Sequence, residues 1–440
     1  MLENKILLFD NFDINSQKLY NSLKKSNFNG ETYVINDNNF LPSEIKSFYQ
    51  VICDLKKEGK PKYFNEIPVP DYWEIKGNNQ IAHVYDRDSL RANILYSNTS
   101  FDRFVKKVEW LDKKMKIRLT DHYDRYGNLY AKTTFNKDSK PIVKTYFDSA
   151  GRERIVENFV TKNILVNIDN KDYIFNDKID FVLFMLKREK HNDSDIIINS
   201  LSTPFFVSLR FNRENAKDVL FWQEDCREDI PGNMKFIFDN HSNINKIFVQ
   251  QKNSYEKFIE LGAPKSKLLI KGYVYDYKRI SRYSKNILIC TNSDQLLKIK
   301  ELITELKGFT FHIAALTEMS SKLLSLSDFE NVKLYPTSTI SKINDLFNRC
   351  DIYLDINKGI EILSSVENAF LYNHLIFSFK EINHSPNYVV PQNVFPCESY
   401  SDMVKKINDV TSDIEDWKKE INNQKNFALS ENSDKYLLDL

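Results

Sequence analysis

Four aromatic residues stand twelve apart in the middle of this chain, Tyr123, Phe135, Phe147 and Phe159, and the first three lead into turn-forming stretches. Those stretches are Asp124-Arg125-Tyr126-Gly127-Asn128, Asn136-Lys137-Asp138-Ser139-Lys140 and Asp148-Ser149-Ala150-Gly151-Arg152. Between them the residues alternate. Ala131, Thr133 and Phe135 oppose Tyr130, Lys132 and Thr134; then Val143, Thr145 and Phe147 oppose Ile142, Lys144 and Tyr146. Period-two alternation broken at a fixed interval by Asn, Asp and Gly predicts an antiparallel β-meander over 117–159. A hairpin of Ile164–Ile168 with Tyr173–Phe175 extends it. Half of a β-sandwich is the other arrangement that fits the pattern. Only one face is clearly apolar, so the sheet is expected to lie against another layer, domain or subunit.

On both sides of this segment the rhythm is different. Ile6–Phe9 reads as a buried strand, Asn15 to Lys25 as a helix with Leu19 and Leu23 at helical spacing, Thr32–Ile35 as a strand, and Gln50–Leu55 as a further strand. After the meander, Asp180–Lys190 is a helix, Ile196–Asn199 and Val219–Gln223 are strands, and Ile247–Gln250 leads into a helix that stops at Gly262. From Lys285 onward, strands at Asn286–Cys290, Thr310–Ala314, Val332–Tyr335, Asp351–Leu354 and Leu375–Phe379 alternate with helices at Gln295–Leu306, Ser320–Leu324, Ser341–Asn348 and Glu361–Tyr372. Ser401–Asn426 reads as one long amphipathic helix. Alternating β and α means parallel sheets with helices on their faces. The fold class is therefore α/β, with two Rossmann-like domains and an antiparallel sheet inserted in the first. The expected boundaries are 1–61 with 178–280 for the first domain, 62–177 for the insert, 281–400 for the second domain and 401–440 for a closing helix.

Composition removes several function classes. Lys+Arg 62 against Asp+Glu 61 leaves +1, so no overall field draws nucleic acid or an anionic membrane. Glycine is scarce, ten in 440 against an average of about 7%. No two stand close enough for a GxGxxG fingerprint or a Walker A loop. Five scattered cysteines without a CxxC read as reduced thiols of a cytoplasmic protein. The first residues read as a strand rather than a signal peptide, and no apolar run is long enough to span a membrane. Seven histidines show no ligand spacing, so neither a metal nor a cofactor is expected.

Two doubly wound domains in tandem resemble a GT-B glycosyltransferase, whose ligands sit at the carboxyl ends of the strands. Ile247-Phe248-Val249-Gln250, Gly262-Ala263-Pro264 and Leu268 to Val274 resemble the segment that closes the first domain of such enzymes, and Gly359 to Phe377 resembles their donor-site helix. The insert is more specific. Val108-Glu109-Trp110-Leu111-Asp112, Leu119 to Lys132 and Val156-Glu157-Asn158-Phe159 look like the GtfB-type glycosylation chaperones of the accessory Sec system. The resemblance covers essentially the whole chain. It implies a stabilising, non-catalytic subunit of a two-component O-GlcNAc transferase for serine-rich adhesins. It also implies a catalytic homologue of the GtfA type as partner, in a heterotetramer, and the adhesin as acceptor. The complex would be cytoplasmic, with any membrane contact peripheral and made through the complex.

The donor-site residues bear on catalysis. Active relatives need glycine-rich backbone near the first strand, cations for the diphosphate and a Glu-x7-Glu pair. This chain has Asp10-Asn11-Phe12-Asp13 after its first strand, which would repel a diphosphate. After Asn286–Cys290 it has Asn292 and Asp294 where an Arg and a Lys would stand, and Lys298 is the nearest cation. Counting back from Glu367 reaches Gly359 rather than an acid; Glu361 lies nearer, beside Lys358 as a possible ion-pair partner. The donor site formed by Gly359, Glu361 and Glu367 is thus degenerate, and the chain reads as a pseudoenzyme. The rival reading is an active retaining glycosyltransferase with a diverged donor site; a third is a binding module without an enzyme partner. Acceptor contacts are expected from Gln223 and Glu224, with Asp239, Asn240 and His241 after a supposed strand. The same polar groups equally suit helix caps and turns. Tyr126, Tyr130 and Tyr146 of the meander are the expected partner interface.

Overall fold

A computed structural model describes residues 4–37, 40–97 and 103–440. The chain divides into two compact units, residues 1–270 and 271–439. Among the described residues of the first unit there are two sheets. One is parallel, with strands in the spatial order Leu268–Ile270, Ile244–Val249, Asp218–Trp222, Asp195–Ile198, Lys5–Phe9, Thr32–Val34 and Lys46–Ser47. Its central strands are apolar runs buried on both faces, as helix-covered parallel strands must be. The helix Ile14–Lys25 begins where the Asp13 carboxylate accepts the Ser16 N–H at 2.8 Å. Asp13 is thus a helix cap. Asp10 is likewise occupied, accepting from Asn36 Nδ2 at 2.8 Å and from the Ser202 hydroxyl.

The second sheet has ten antiparallel strands, from Trp73–Gly77 to Lys171–Phe175, paired in sequence order. Its period has a local cause. In each repeat an Asx side chain, Asp112, Asn136 or Asp148, accepts backbone N–H groups two and four residues on, at 2.8–3.0 Å. Asp124 does the same to Tyr126 and Asn128, at 2.9 and 2.8 Å. The fourth residue of each turn takes a positive φ: Met115 60°, Gly127 85°, Ser139 59° and Gly151 76°. This is a type I turn closed by one left-handed residue, a loop that fixes hairpin register. At Gly127 the residue choice is also steric, since an added Cβ would lie 2.6 Å from the Lys60 carbonyl oxygen.

The layer expected against the meander is this chain's own first parallel domain. Tyr146 stacks on Tyr49 at 4.4 Å between ring centroids, and Tyr49 lies 5.5 Å from Phe181. Tyr130, Ala131, Ile155, Ile164 and Val166 share one core with Phe48, Ile52 and Val182. The stretch expected as a strand at Gln50–Leu55 is a helix, Phe48–Cys53. Phe48, Tyr49, Ile52 and Cys53 form its buried face, at helical spacing, and cover the meander.

The second unit holds a six-stranded parallel sheet in the order Val332–Tyr335, Thr310–Ala314, Asn286–Cys290, Ile352–Asp355, Leu375–Phe379, Val394–Phe395. The expected single C-terminal helix is two, Tyr400–Val410 and Ile414–Phe427. Asp413 interrupts it, because its carboxylate caps the second helix through the Glu415 N–H at 2.6 Å. The helices expected from Gln295 and from Glu361 start later, at Ile299 and Ser365.

Candidate functional site

Strand order selects the place to look. The strand Asn286–Cys290 lies between Thr310–Ala314 and Ile352–Asp355, so the winding reverses beside it. The crevice at the carboxyl ends of Asn286–Cys290 and Ile352–Asp355 is therefore the topological switch point, where such sheets take ligands. Here the two loops are bonded to each other. Leu297 N–H donates to Ile356 O at 3.0 Å, and Lys358 N–H donates to Gln295 O at 2.9 Å. The buried Asn357 Oδ1 accepts from the Thr291 hydroxyl and from Gly359 N–H, both at 3.0 Å. Ser293 N–H donates to Thr291 Oγ1 at 2.9 Å, and Gln295 N–H to Ser293 Oγ at 3.1 Å. A Cβ on Gly359 would stand 2.8 Å from Ser293 Cβ. A diphosphate cradle needs free backbone N–H groups and open space beside them. These N–H groups are used within the chain.

The acids are used locally as well. Glu361 Oε1 accepts the Val366 N–H at 2.8 Å and so caps the helix Ser365–Leu371, rather than pairing with Lys358. Glu367 Oε1 accepts the Tyr388 hydroxyl at 2.9 Å. Asn292 Oδ1 accepts Leu316 N–H at 2.9 Å, and Lys298 lies 3.5 Å from Glu301. His384 was not among the expected site residues. Its Nδ1 lies 2.6 Å from Asp355 Oδ1, its backbone N–H donates to Asp355 Oδ2 at 2.8 Å, and its Nε2 donates to Gly359 O at 2.8 Å. The hydrogen bond to Asp355 is the main cause that raises the imidazole pKa to about 9, so the ring is a cation at neutral pH. That cation is held by Asp355 and the Gly359 carbonyl. In the sequence, an Asp ending an apolar strand and a His before Ser-Pro gave no hint of their contact.

The first unit separates the expected acceptor residues. Gly232–Phe238 is a helix, not a strand, so Asp239, Asn240 and His241 form the loop entering the strand Ile244–Val249. Asp218–Trp222 runs parallel to that strand, with Asp218 opposite Ile244 and Trp222 opposite Val249. Gln223 and Glu224 therefore lie at the carboxyl end of the sheet and the other three at the amino end, about five residues or ~16 Å of strand away. Gln223 is buried; its amide donates to Asn15 O at 2.9 Å and Gln250 Oε1 at 2.8 Å, and accepts from Asn199 Nδ2 at 3.1 Å. Glu224 is exposed.

The interface tyrosines also need correction. Tyr130 and Tyr146 are each 4% exposed, inside the core between the meander and the first parallel domain. Neither is available to a partner. Tyr126 is half-buried in a turn whose neighbour Arg125 donates to Leu41 O at 2.7 Å. On the opposite face, Leu165 and Ile174 are cross-strand partners left 41% and 73% exposed.

Comparison with known proteins fits this architecture. Family models described as the GtfB N-terminal, middle and third domains match residues 6–51, 73–176 and 178–261, and one described as the GftB/GlyA-F C-terminal domain matches 287–424. A UDP-N-acetylglucosamine–peptide N-acetylglucosaminyltransferase stabilizing protein GtfB of Streptococcus agalactiae is 43% identical over 92% of this chain and 92% of its own length. This chain belongs to the GtfB family. A GtfB stabilizing protein of Streptococcus gordonii is 39% identical over 89% of this chain and 88% of its own. A chain of a GtfA/B complex crystallised with UDP and GlcNAc aligns over 99% of both chains with a TM-score of 0.90 and 36% identity. TarM, at 13% identity and a TM-score of 0.53, shares the fold. Among the described residues of this GtfB-family chain, no three His, Cys, Asp or Glu side chains gather as metal ligands, and no helix is long and apolar enough to cross a membrane.

Proposed function

We propose that this GtfB-family chain is the non-catalytic, stabilising and acceptor-binding subunit of a two-component O-GlcNAc transferase acting on a serine-rich adhesin. The observation that carries this reading is the bonded crevice: the Thr291, Ser293, Asn357 and Gly359 groups that would face a nucleotide-sugar satisfy one another. Both Glu361 and Glu367 are committed to this chain, which supports a pseudoenzyme. UDP-GlcNAc binding and chemistry then belong to a GtfA-type partner, stabilised by mass action when this chain binds its folded form. Acceptor hydroxyls would meet the carboxyl end of the first parallel sheet, where the exposed Glu224 carboxylate, 3.9 Å from Arg227, stands above the buried Gln223. All five cysteines are unpaired, which supports work in the reducing cytoplasm.

For the heteromeric contact, this reading takes the outer face of the meander's last hairpin. Val156, Leu165 and Ile174 sit in one row across three strands, and an apolar row left exposed favours a second layer. Co-expression of a GtfA-type transferase with and without this chain tests the proposal. Glycosylation of the acceptor and the melting temperature of the transferase should both rise with the chain present. Equal activity and stability without it would reject the stabilising role.

A further inference from the structure

The second unit carries another concavity, between the helix Ile414–Phe427 and the extended segment 277–283. It measures about 670 Å³, within the ~300–1,000 Å³ usual for small-molecule sites. Trp417 and Ile421 form its buried apolar floor, while Ile280, 87% exposed, and Ile414 stand open at it. Its charges are one-sided. Four cations line it and no carboxylate does. Two of the four are matched from outside the lining: Arg279 lies 2.5 Å from Asp351, and Lys418 lies 2.7 Å from Glu415. Among the described residues, no carboxylate pairs with the side chain of Arg282 or Lys425. The Lys425 ammonium lies 4.2 Å from the Tyr277 ring centroid. Burial lowers its pKa, with no acid to oppose the shift.

Half-burying an ammonium with no carboxylate beside it and leaving two isoleucines in water are both unfavourable. One ligand chemistry relieves both. We propose that this cavity binds an amphipathic anion, a carboxylate or phosphate head on an aliphatic or aromatic body, with Arg282 and Lys425 taking the head and Ile280 and Ile414 the body. A volume of this size suits a drug-sized molecule rather than a folded protein surface. The site is independent of the bonded crevice and of the reading drawn from it.

Isothermal titration of the full chain with dodecanoate and with dodecanol separates charge from apolar contact. Dodecanoate is expected to bind with a stoichiometry of one and at least about tenfold more tightly than dodecanol. The double variant Lys425→Met/Arg282→Gln should lose that preference at an unchanged melting temperature. Ile280→Ser, at an exposed position that folding does not depend on, should weaken both ligands several-fold. Equal affinity for acid and alcohol, no binding of dodecanoate, or full retention in both variants would overturn the proposal.

Discussion

Asp355 grips His384 with both carboxylate oxygens, one on the ring nitrogen Nδ1 at 2.6 Å and one on the backbone N–H at 2.8 Å. Asp355 is almost wholly buried at the end of its strand, and the same imidazole reaches Gly359 O. The loop after Leu375–Phe379 is thereby tied across the carboxyl edge of the sheet.

The pair has a pH signature. Its folded pKa, about 9, lies above the ordinary histidine value of ~6.5, so the stabilisation is fully present below about pH 6.5 and is lost as pH rises through about 9. Urea unfolding of the wild type and His384→Gln should differ by about 1 kcal/mol near pH 6, allowing for solvent screening, and converge near pH 10. An imidazole titrating near 6.5 by NMR would contradict it.

The crevice makes a steric prediction. Gly359→Ala puts a Cβ 2.8 Å from Ser293 Cβ, and overpacking of this kind costs about 1–3 kcal/mol. Ser293→Gly in the same chain should recover most of that loss. If the double variant is no more stable than Gly359→Ala alone, the loops are not in contact.

Lys144 faces the buried tyrosines, with its ammonium 4.6 Å from the Tyr146 ring centroid. Burial pushes its pKa down to about 8, below its unfolded value, so it opposes folding at neutral pH and stability rises between about pH 8 and 10.5. Lys144→Met should stabilise the protein by about 1–2 kcal/mol at pH 7, discounted for partial exposure, and the gain should vanish above about pH 10.5. Denaturant midpoints across that range measure it.

What was legible in the sequence follows the range of the interactions. The meander repeat could be read because each turn closes within five residues, through Asp124, Asn136 or Asp148. The alternation also gave the two faces of Tyr146 and its neighbours. It did not give which face is covered, because the covering helix Phe48–Cys53 lies almost a hundred residues upstream and its short apolar run also suits a strand. The departure from a Glu-x7-Glu pair could be counted from Gly359 and Glu367. What replaces it could not, since Thr291 meets Asn357 and Asp355 meets His384 only after the sheet has formed.

The contact proposed on the exposed hairpin row can be tested apart from folding. Leu165→Lys and Ile174→Lys together should leave the melting temperature of the chain within a few degrees of wild type while abolishing co-purification of a GtfA-type partner. Tyr146→Ala should instead destabilise the chain by about 3–5 kcal/mol, as loss of a buried aromatic does. Undiminished co-purification of the hairpin variant would move the interface elsewhere.

The central claim is that this chain does not bind the donor itself. Calorimetric titration of UDP and of UDP-GlcNAc into the purified chain, without a partner, tests it directly. The bonded crevice predicts no binding heat up to millimolar ligand. Saturable binding at micromolar affinity, about −8 kcal/mol, would contradict it and return Glu361 and Glu367 to the role of donor ligands.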